Sequence, residues 1–180
     1  MLARYHEIEP ELEEDGSRAY RAVLTEAMRR LGAPAGAEHG LAESLPSWRP
    51  FPEVRPALEE LRQRGWKLAI LSNTDADFIA ASQVQIGVPF EEVVVAQEIA
   101  SYKPAHRHWE EFFARTRAPR EGHVHVAASL HHDIVPCNEL SLRSVWINRA
   151  GVAPEDTRPT RELPDLFGLP ETLDELVPTP

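Results

Sequence analysis

Read for the spacing of its apolar residues, this chain changes texture near residue 50. Residues 1 to 46 carry only helical periodicity: LARYHEIEPELEE, then SRAYRAVLTEAMRRLGA, in which Tyr20, Val23, Leu24, Ala27, Met28 and Leu31 recur at three- and four-residue intervals and stop before Gly32. SLPSWRPFPE then brings three prolines, each of which pushes the residue before it away from helical geometry, and this predicts a hinge or subdomain boundary. From residue 53 helix and short apolar strand take turns. The pattern predicts helix over EVRPALEELRQRG, strand over KLAIL, helix over DADFIAASQVQIG, strand over EEVVVA and helix over PAHRHWEEFFARTRA, opened by Pro104. Strand over HVHVAA, helix over DIVPCNELSL and strand over SVWIN follow. Such alternation needs crossover connections, so the expected fold is α/β with a mainly parallel sheet. Beyond Arg149 apolar residues thin out until LPDLFGLPETLDELV, which predicts a short packed segment and a half-helix capped by Thr172.

Size and charge narrow the function classes. A chain of 180 residues holds one core, or a core with a small appended subdomain, and the textural break puts the boundary between residues 1–46 and 47–180. Acidic side chains outnumber basic ones 29 to 19, a net charge of -10, and no Lys/Arg-rich run exists, so nucleic acid is not an expected partner. Cys137 stands alone, without a disulfide partner or a CxxC pair for zinc or redox exchange, which suits a cytoplasmic location. No stretch approaches the roughly 20 apolar residues of a membrane span, and MLARYHEIEPELEED lacks the apolar run of a signal peptide, so no membrane partner is expected. Association of like copies stays open.

In a parallel sheet, ligands gather at the carboxyl ends of the strands, where loops diverge and helix N-termini point N–H groups outward. Three polar clusters fall there: Ser72-Asn73-Thr74-Asp75 after KLAIL, Lys103 after VVVA, and Ser129-His131-His132-Asp133 after HVHVAA. Singly, each has a plain explanation. Ser, Asn and Asp at a strand-to-helix junction are the preferred helix caps. A lysine before proline reads as solvated surface, and the adjacent His131, His132 and Asp133 point in different directions, which disfavours a shared metal. His123 and His125 alternate on a strand and are expected to face solvent or satisfy a local hydrogen bond, while Trp109, Phe112 and Phe113 read as the core face of a helix.

Taken together, the clusters are far more specific. An apolar strand ending in SNT, a Lys-Pro about 30 residues on, a strand ending in SLxxD about 25 further, and then VWINR form a spaced set. LAILSNTD, SYKPAHRHWEEF, HVAASLHHDIVP and LRSVWINRAG resemble the haloacid dehalogenase (HAD) superfamily of hydrolases, most closely its haloacid dehalogenase type II-like branch, over nearly all of residues 50 to 150. The resemblance implies a Rossmann-like sheet with helices on both faces and a helical cap, here residues 1–46, inserted after a first strand that carries a nucleophilic aspartate. That carboxylate attacks carbon or phosphorus of a small anionic substrate, and water resolves the covalent ester, splitting one hard displacement into two easier ones. Carried over by position, Ser72 and Asn73 would hydrogen-bond the substrate's anionic group or the nucleophile, with Thr74 and Ser129 beside them. Lys103 would neutralise and orient the carboxylates, and Asp133 would pair with it.

The sequence also departs from that pattern. The family's nucleophile lies in a DxxGT-type motif ahead of the cap helices; residues 1–46 contain no such motif, and Asp15, in EEDGSRAY, has no strand before it. The implied core would then lack its first, central strand, leaving KLAIL and HVHVAA with open ladders about 10 Å apart. The expectation is a late-placed start or a fragment of an ordinary hydrolase, inactive as given; the alternative is an inactive HAD-like scaffold that kept its cradle for binding. Ala128 occupies the position where magnesium-dependent members carry an acidic ligand, so no metal cofactor is expected. Metal-free dehalogenases usually carry Ser at that position, Asn near Leu130 and Tyr near Trp109, and all three differ here, which leaves haloacids and phosphate esters both open.

Overall fold

The computed structural model describes residues 2–14, 16–154 and 156–177, so Asp15 lies outside the described residues. Helices α1 (Leu2–Glu13) and α2 (Tyr20–Arg30) pack through Ile8, Leu12, Val23 and Ala27, and their shared core also takes in Ala96 and Tyr102 from later in the chain. Helix α2 ends where its apolar period stops, at Leu31, and Gly32 follows at φ +85°. The short α3 (Gly40–Ser44) adds Ala42 to a second cluster with Leu24 and Phe78. Gly16, at φ +67°, turns the chain between α1 and α2 against the body of the protein: a Cβ there would lie 2.7 Å from the Ala100 carbonyl oxygen. The first 46 residues are thus clamped to the remainder rather than tethered by it.

The rest alternates as its pattern requires: α4 (Val54–Gln63), β1 (Ala69–Ser72), α5 (Ala76–Ile86), β2 (Glu92–Val95), α6 (Ala96–Ile99), α7 (Arg107–Thr116), β3 (Val124–Ala127), α8 (Val135–Glu139), β4 (Arg143–Ile147), β5 (Arg161–Leu163) and α9 (Leu169–Leu176). Helix α5 stops at Gly87, whose φ of +70° is the left-handed cap position that glycine adopts without penalty. Three local expectations change. Pro104 does not open α7; it follows a cis peptide from Lys103 and lies in a turn closed by the Ala105 N–H on the Tyr102 carbonyl. Thr172 does not cap α9, which begins after Gly168 with Pro170 in its first turn, while the Thr172 hydroxyl donates back to the Gly168 carbonyl. Strand β5 has no apolar alternation to announce it and exists through pairing with β4.

Among the described residues all strand pairing is parallel, but it falls into two sheets: β1–β2, and β3–β4–β5. Between them runs a groove of about 680 Å³ with Ala69, Ile70 and Leu71 on one wall and Val124 to Ala127 on the other. This explains an imbalance in burial, since β1 and most of β3 are only half-buried while β4 is almost wholly buried. Helices cover both faces. Leu61 of α4 with Leu169 and Leu173 of α9 packs against Val145 and Ile147 on one, and Trp109 of α7 with Cys137 of α8 packs against Leu71 on the other.

Asp75 joins the two parts of the chain. It stands at the start of α5 but caps a different helix: its two carboxylate oxygens accept the N–H groups of Tyr20 (2.8 Å) and Arg21 (2.9 Å), the unpaired donors at the start of α2. Arg21 adds an ion pair to Asp77 and stacks on Phe78. Asp75→Ala should lower the unfolding free energy by about 0.5–2 kcal/mol, the usual worth of a helix cap, and Asp75→Asn by less. Urea denaturation followed by far-UV circular dichroism measures both.

Candidate active site at the strand ends

One buried node organises the carboxyl ends of β1 and β3. Asp133, in the π-helical turn Leu130–Ile134 that follows β3, accepts on Oδ1 both Lys103 Nζ (2.6 Å) and His125 Nε2 (2.9 Å). Lys103 Nζ donates a further bond to the Leu71 carbonyl of β1 (2.8 Å). Lys103 and Asp133 are only 8% and 5% exposed, so neither charge has bulk water to fall back on. Despite that burial, the Lys103 charge and the His125 hydrogen bond hold the Asp133 carboxyl well below the usual carboxylate range. Burial outweighs the pull of Asp133 on His125 and lowers its pKa, so His125 is a neutral donor.

Asn73 sets where Lys103 stands. Its Oδ1 accepts the Lys103 N–H (2.7 Å) and its Nδ2 donates to the Lys103 carbonyl (2.9 Å), so one amide grips the lysine backbone in both directions. The same Nδ2 lies 3.2 Å from Oε2 of Glu13, at the end of α1. The Ser72 carbonyl receives the Thr74 N–H (2.9 Å) and Nε2 of the fully buried His108 (3.1 Å), whose pKa burial lowers to about 4. Ser129 caps the π turn, its hydroxyl accepting the His132 N–H at 3.1 Å.

A cleft of about 370 Å³ opens above this node, between α1, α2 and the strand ends. Ser72, Asn73, Thr74, Lys103, Ser129 and Asp133 all line it, so the six residues chosen from sequence are brought to one place. Four further residues were not foreseen in these places. His125 was expected to face solvent or to make a local bond; it is buried against Trp109, with ring centroids 5.1 Å apart, and reaches Asp133. Its neighbour on the same face, His123, also turns inward, packed between Phe112 and Phe113. The alternation of HVHV did put both histidines on one face, but nothing local in sequence said that this face was covered. His108 and Glu13 carried no signal, because each is defined by a partner at least 36 residues away.

The chain matches the haloacid dehalogenase-like hydrolases over residues 2–134 and belongs to that family. It is 34% identical over 129 residues to haloacetate dehalogenase H-2 of Moraxella sp. strain B, an alignment covering 69% of this chain and 56% of that protein. It is 29% identical over 119 residues to a glyceraldehyde 3-phosphate phosphatase of Methanopyrus kandleri, covering 65% of this chain and 51% of the phosphatase. The chain thus spans about half the length of these relatives. In three dimensions it is similar to the crystal structure of an L-2-haloacid dehalogenase, with a TM-score of 0.84 at 21% identity over 96% of this chain and 84% of that one. That match establishes the HAD Rossmann-like fold.

Removing one partner of the node strands the other. Lys103→Ala should cost about 3–5 kcal/mol in urea unfolding, and replacing Asp133 by Leu in the same chain should recover much of it. Acid should act on the same pair. Because the folded-state pKa of Asp133 is depressed, its stabilisation is complete above the ordinary carboxylate range and is lost as pH falls toward that folded value. Glu13 has the opposite sign: burial raises it from 4.5 to about 8, so the native state keeps a proton that the unfolded chain releases, and stability falls as pH rises through that window. The buried histidines, whose pKa is lowered, give both chains an opposite slope, so the test is the difference: the urea midpoint of the wild type should fall relative to that of Glu13→Gln between pH 4.5 and 8.

Proposed function

We propose that this chain contributes the site of a hydrolase that acts on a small anionic substrate through a carboxylate nucleophile delivered by an extended strand in the groove between β1 and β3. The groove carries this reading. Its walls are two parallel strand edges that do not pair with each other, and it leads to Lys103 and Asp133 at the carboxyl ends of the strands. Two such edges are what an added strand needs for main-chain pairing on both sides. A strand running parallel to both would end beside the Lys103 ammonium, where a terminal aspartate is charge-neutralised and aimed into the cleft. Family membership supports the reaction class, and the aspartate would come from outside the described residues.

Within this reading Lys103 holds and orients the nucleophile, Asp133 and His125 hold Lys103, and Asn73 fixes its backbone. Ser72, Thr74 and Ser129 offer hydrogen bonds to the substrate's anionic group. Magnesium has no part in it, because the donor set does not suit the ion. Asp133 already carries the lysine charge, and Ala128 offers only a carbonyl, which accepts the Trp146 indole N–H at 3.0 Å. Among the described residues no three His, Cys, Asp or Glu side chains are grouped to share a cation.

A peptide with an apolar strand followed by Asp-x-x-Gly-Thr should raise the melting temperature, since it binds only the folded form. The 180-residue chain alone should release no halide from chloroacetate and no phosphate from phosphate esters, and turnover should begin when the peptide is added. Lys103→Ala should abolish that turnover. Activity of the chain alone that survives Lys103→Ala would sink the assignment, as would a melting temperature indifferent to the peptide.

A further inference from the structure

The wall of the cleft opposite Lys103 is acidic, and this bears on which anion fits. Glu13, at the end of α1, is only 5% exposed. Its Oε2 faces Asn73 Nδ2 at 3.2 Å and His132 Nε2 at 3.9 Å, and that histidine nitrogen is buried without a hydrogen-bond partner in the structure. One turn earlier on α1, Glu9 also lines the cleft, its Oε1 accepting the hydroxyls of Tyr5 (2.6 Å) and Tyr20 (2.8 Å). Among the described residues Lys103 is the one lysine or arginine of the lining, and it is already committed to Asp133 and the Leu71 carbonyl. A dianion entering here would lose water next to carboxylates and find no uncommitted cation, whereas a monoanion can be held by hydrogen-bond donors alone.

We propose that Glu13 is a specificity-determining residue, which presents its carboxyl O–H to the bound substrate and so selects a small monocarboxylate over a doubly charged phosphate ester. This rests on the hydrolase reading above and names its substrate class. The groups around Glu13 favour its protonated form at neutral pH. Burial and Glu9 raise its pKa to about 8, against smaller opposing pulls from the Asn73 amide and Lys103. His132 does not supply a countercharge, since burial lowers its pKa, helped by His131 and Lys103 and resisted by Asp133 and Glu9. Above pH 8 Glu13 becomes a second anion facing the substrate, and a like charge a few ångströms away in a partly desolvated cleft is worth at least about a tenfold loss of affinity.

Binding separates this role from turnover. Isothermal titration of the full 180-residue chain, with and without the strand peptide, would use chloroacetate as the monocarboxylate and glycerol phosphate as the dianion, at about pH 7 and about pH 9.5. Wild-type chain should bind chloroacetate more tightly than glycerol phosphate and lose about tenfold or more of that affinity at the higher pH. Glu13→Gln, a neutral donor of the same shape, should bind chloroacetate alike at both. A wild-type affinity independent of pH overturns the role of Glu13 without any substitution. So does a Glu13→Gln chain that keeps the wild-type drop, or glycerol phosphate bound as tightly as chloroacetate; in these cases peptide-dependent turnover would leave the hydrolase reading standing. Failure of either anion to bind at any pH, with or without peptide, overturns both.

Discussion

Burying the Lys103 ammonium beside the Asp133 carboxylate takes two ions out of water, at a cost of several kcal/mol each that only close geometry and further hydrogen bonds can offset. Here each ion has a hydrogen bond beyond the pair itself. Asp133 receives a second donor from His125, and Lys103 gives a second bond to the Leu71 carbonyl. The Lys103 backbone is gripped from Asn73, so the pair draws together β1, the turn before α7, β3 and the π turn that follows it. No single helix or strand determines the position of the site. An ion pair between segments 30 residues apart does.

The groove and the node are two halves of one arrangement. A Rossmann-like sheet that stays open between β1 and β3 would ordinarily expose backbone groups along both edges. Part of that exposure is answered by Lys103 itself, whose Nζ takes the Leu71 carbonyl at the carboxyl end. The helices on both faces hold the two sheets in place through shared clusters, with Leu68 ahead of β1 meeting Val145 and Ile147 of β4 in one core. The chain can therefore present a preformed, charge-lined slot in place of a collapsed sheet.

Most of the fold was legible because α/β alternation writes two distinct periods into one chain. KLAIL and HVHVAA read as strands, which form over AILS and VHVA, and the apolar stripe of α2 stops before Gly32. The illegible parts share a cause: their structure is set by partners far away in sequence. Strand β5, with the sequence REL, becomes a strand by pairing with β4. Asp75 looks like a cap for α5 and caps α2 across 55 residues. At the site, Lys103 and Asp133 could be picked out by spacing and resemblance, whereas His125, His108 and Glu13 acquire meaning only from what covers them. A histidine in a strand looks the same from sequence whether its face meets water or a tryptophan.

The Asp75 clamp has a mechanical consequence. The loop from Ser72 to Asp75 serves two masters within four residues: its first part lines the cleft, and its last residue is bolted to the first turn of α2. A swing of α2 away from the strand ends would pull on that bolt and drag the cleft-lining residues with it. The start of α2 is therefore a fixed point of the cleft rim, and Leu45 strengthens it by packing with Leu24 of α2 and Phe78 of α5 in one cluster. Trp48 lines the cleft and is more than half exposed, so it stands where the cleft meets solvent.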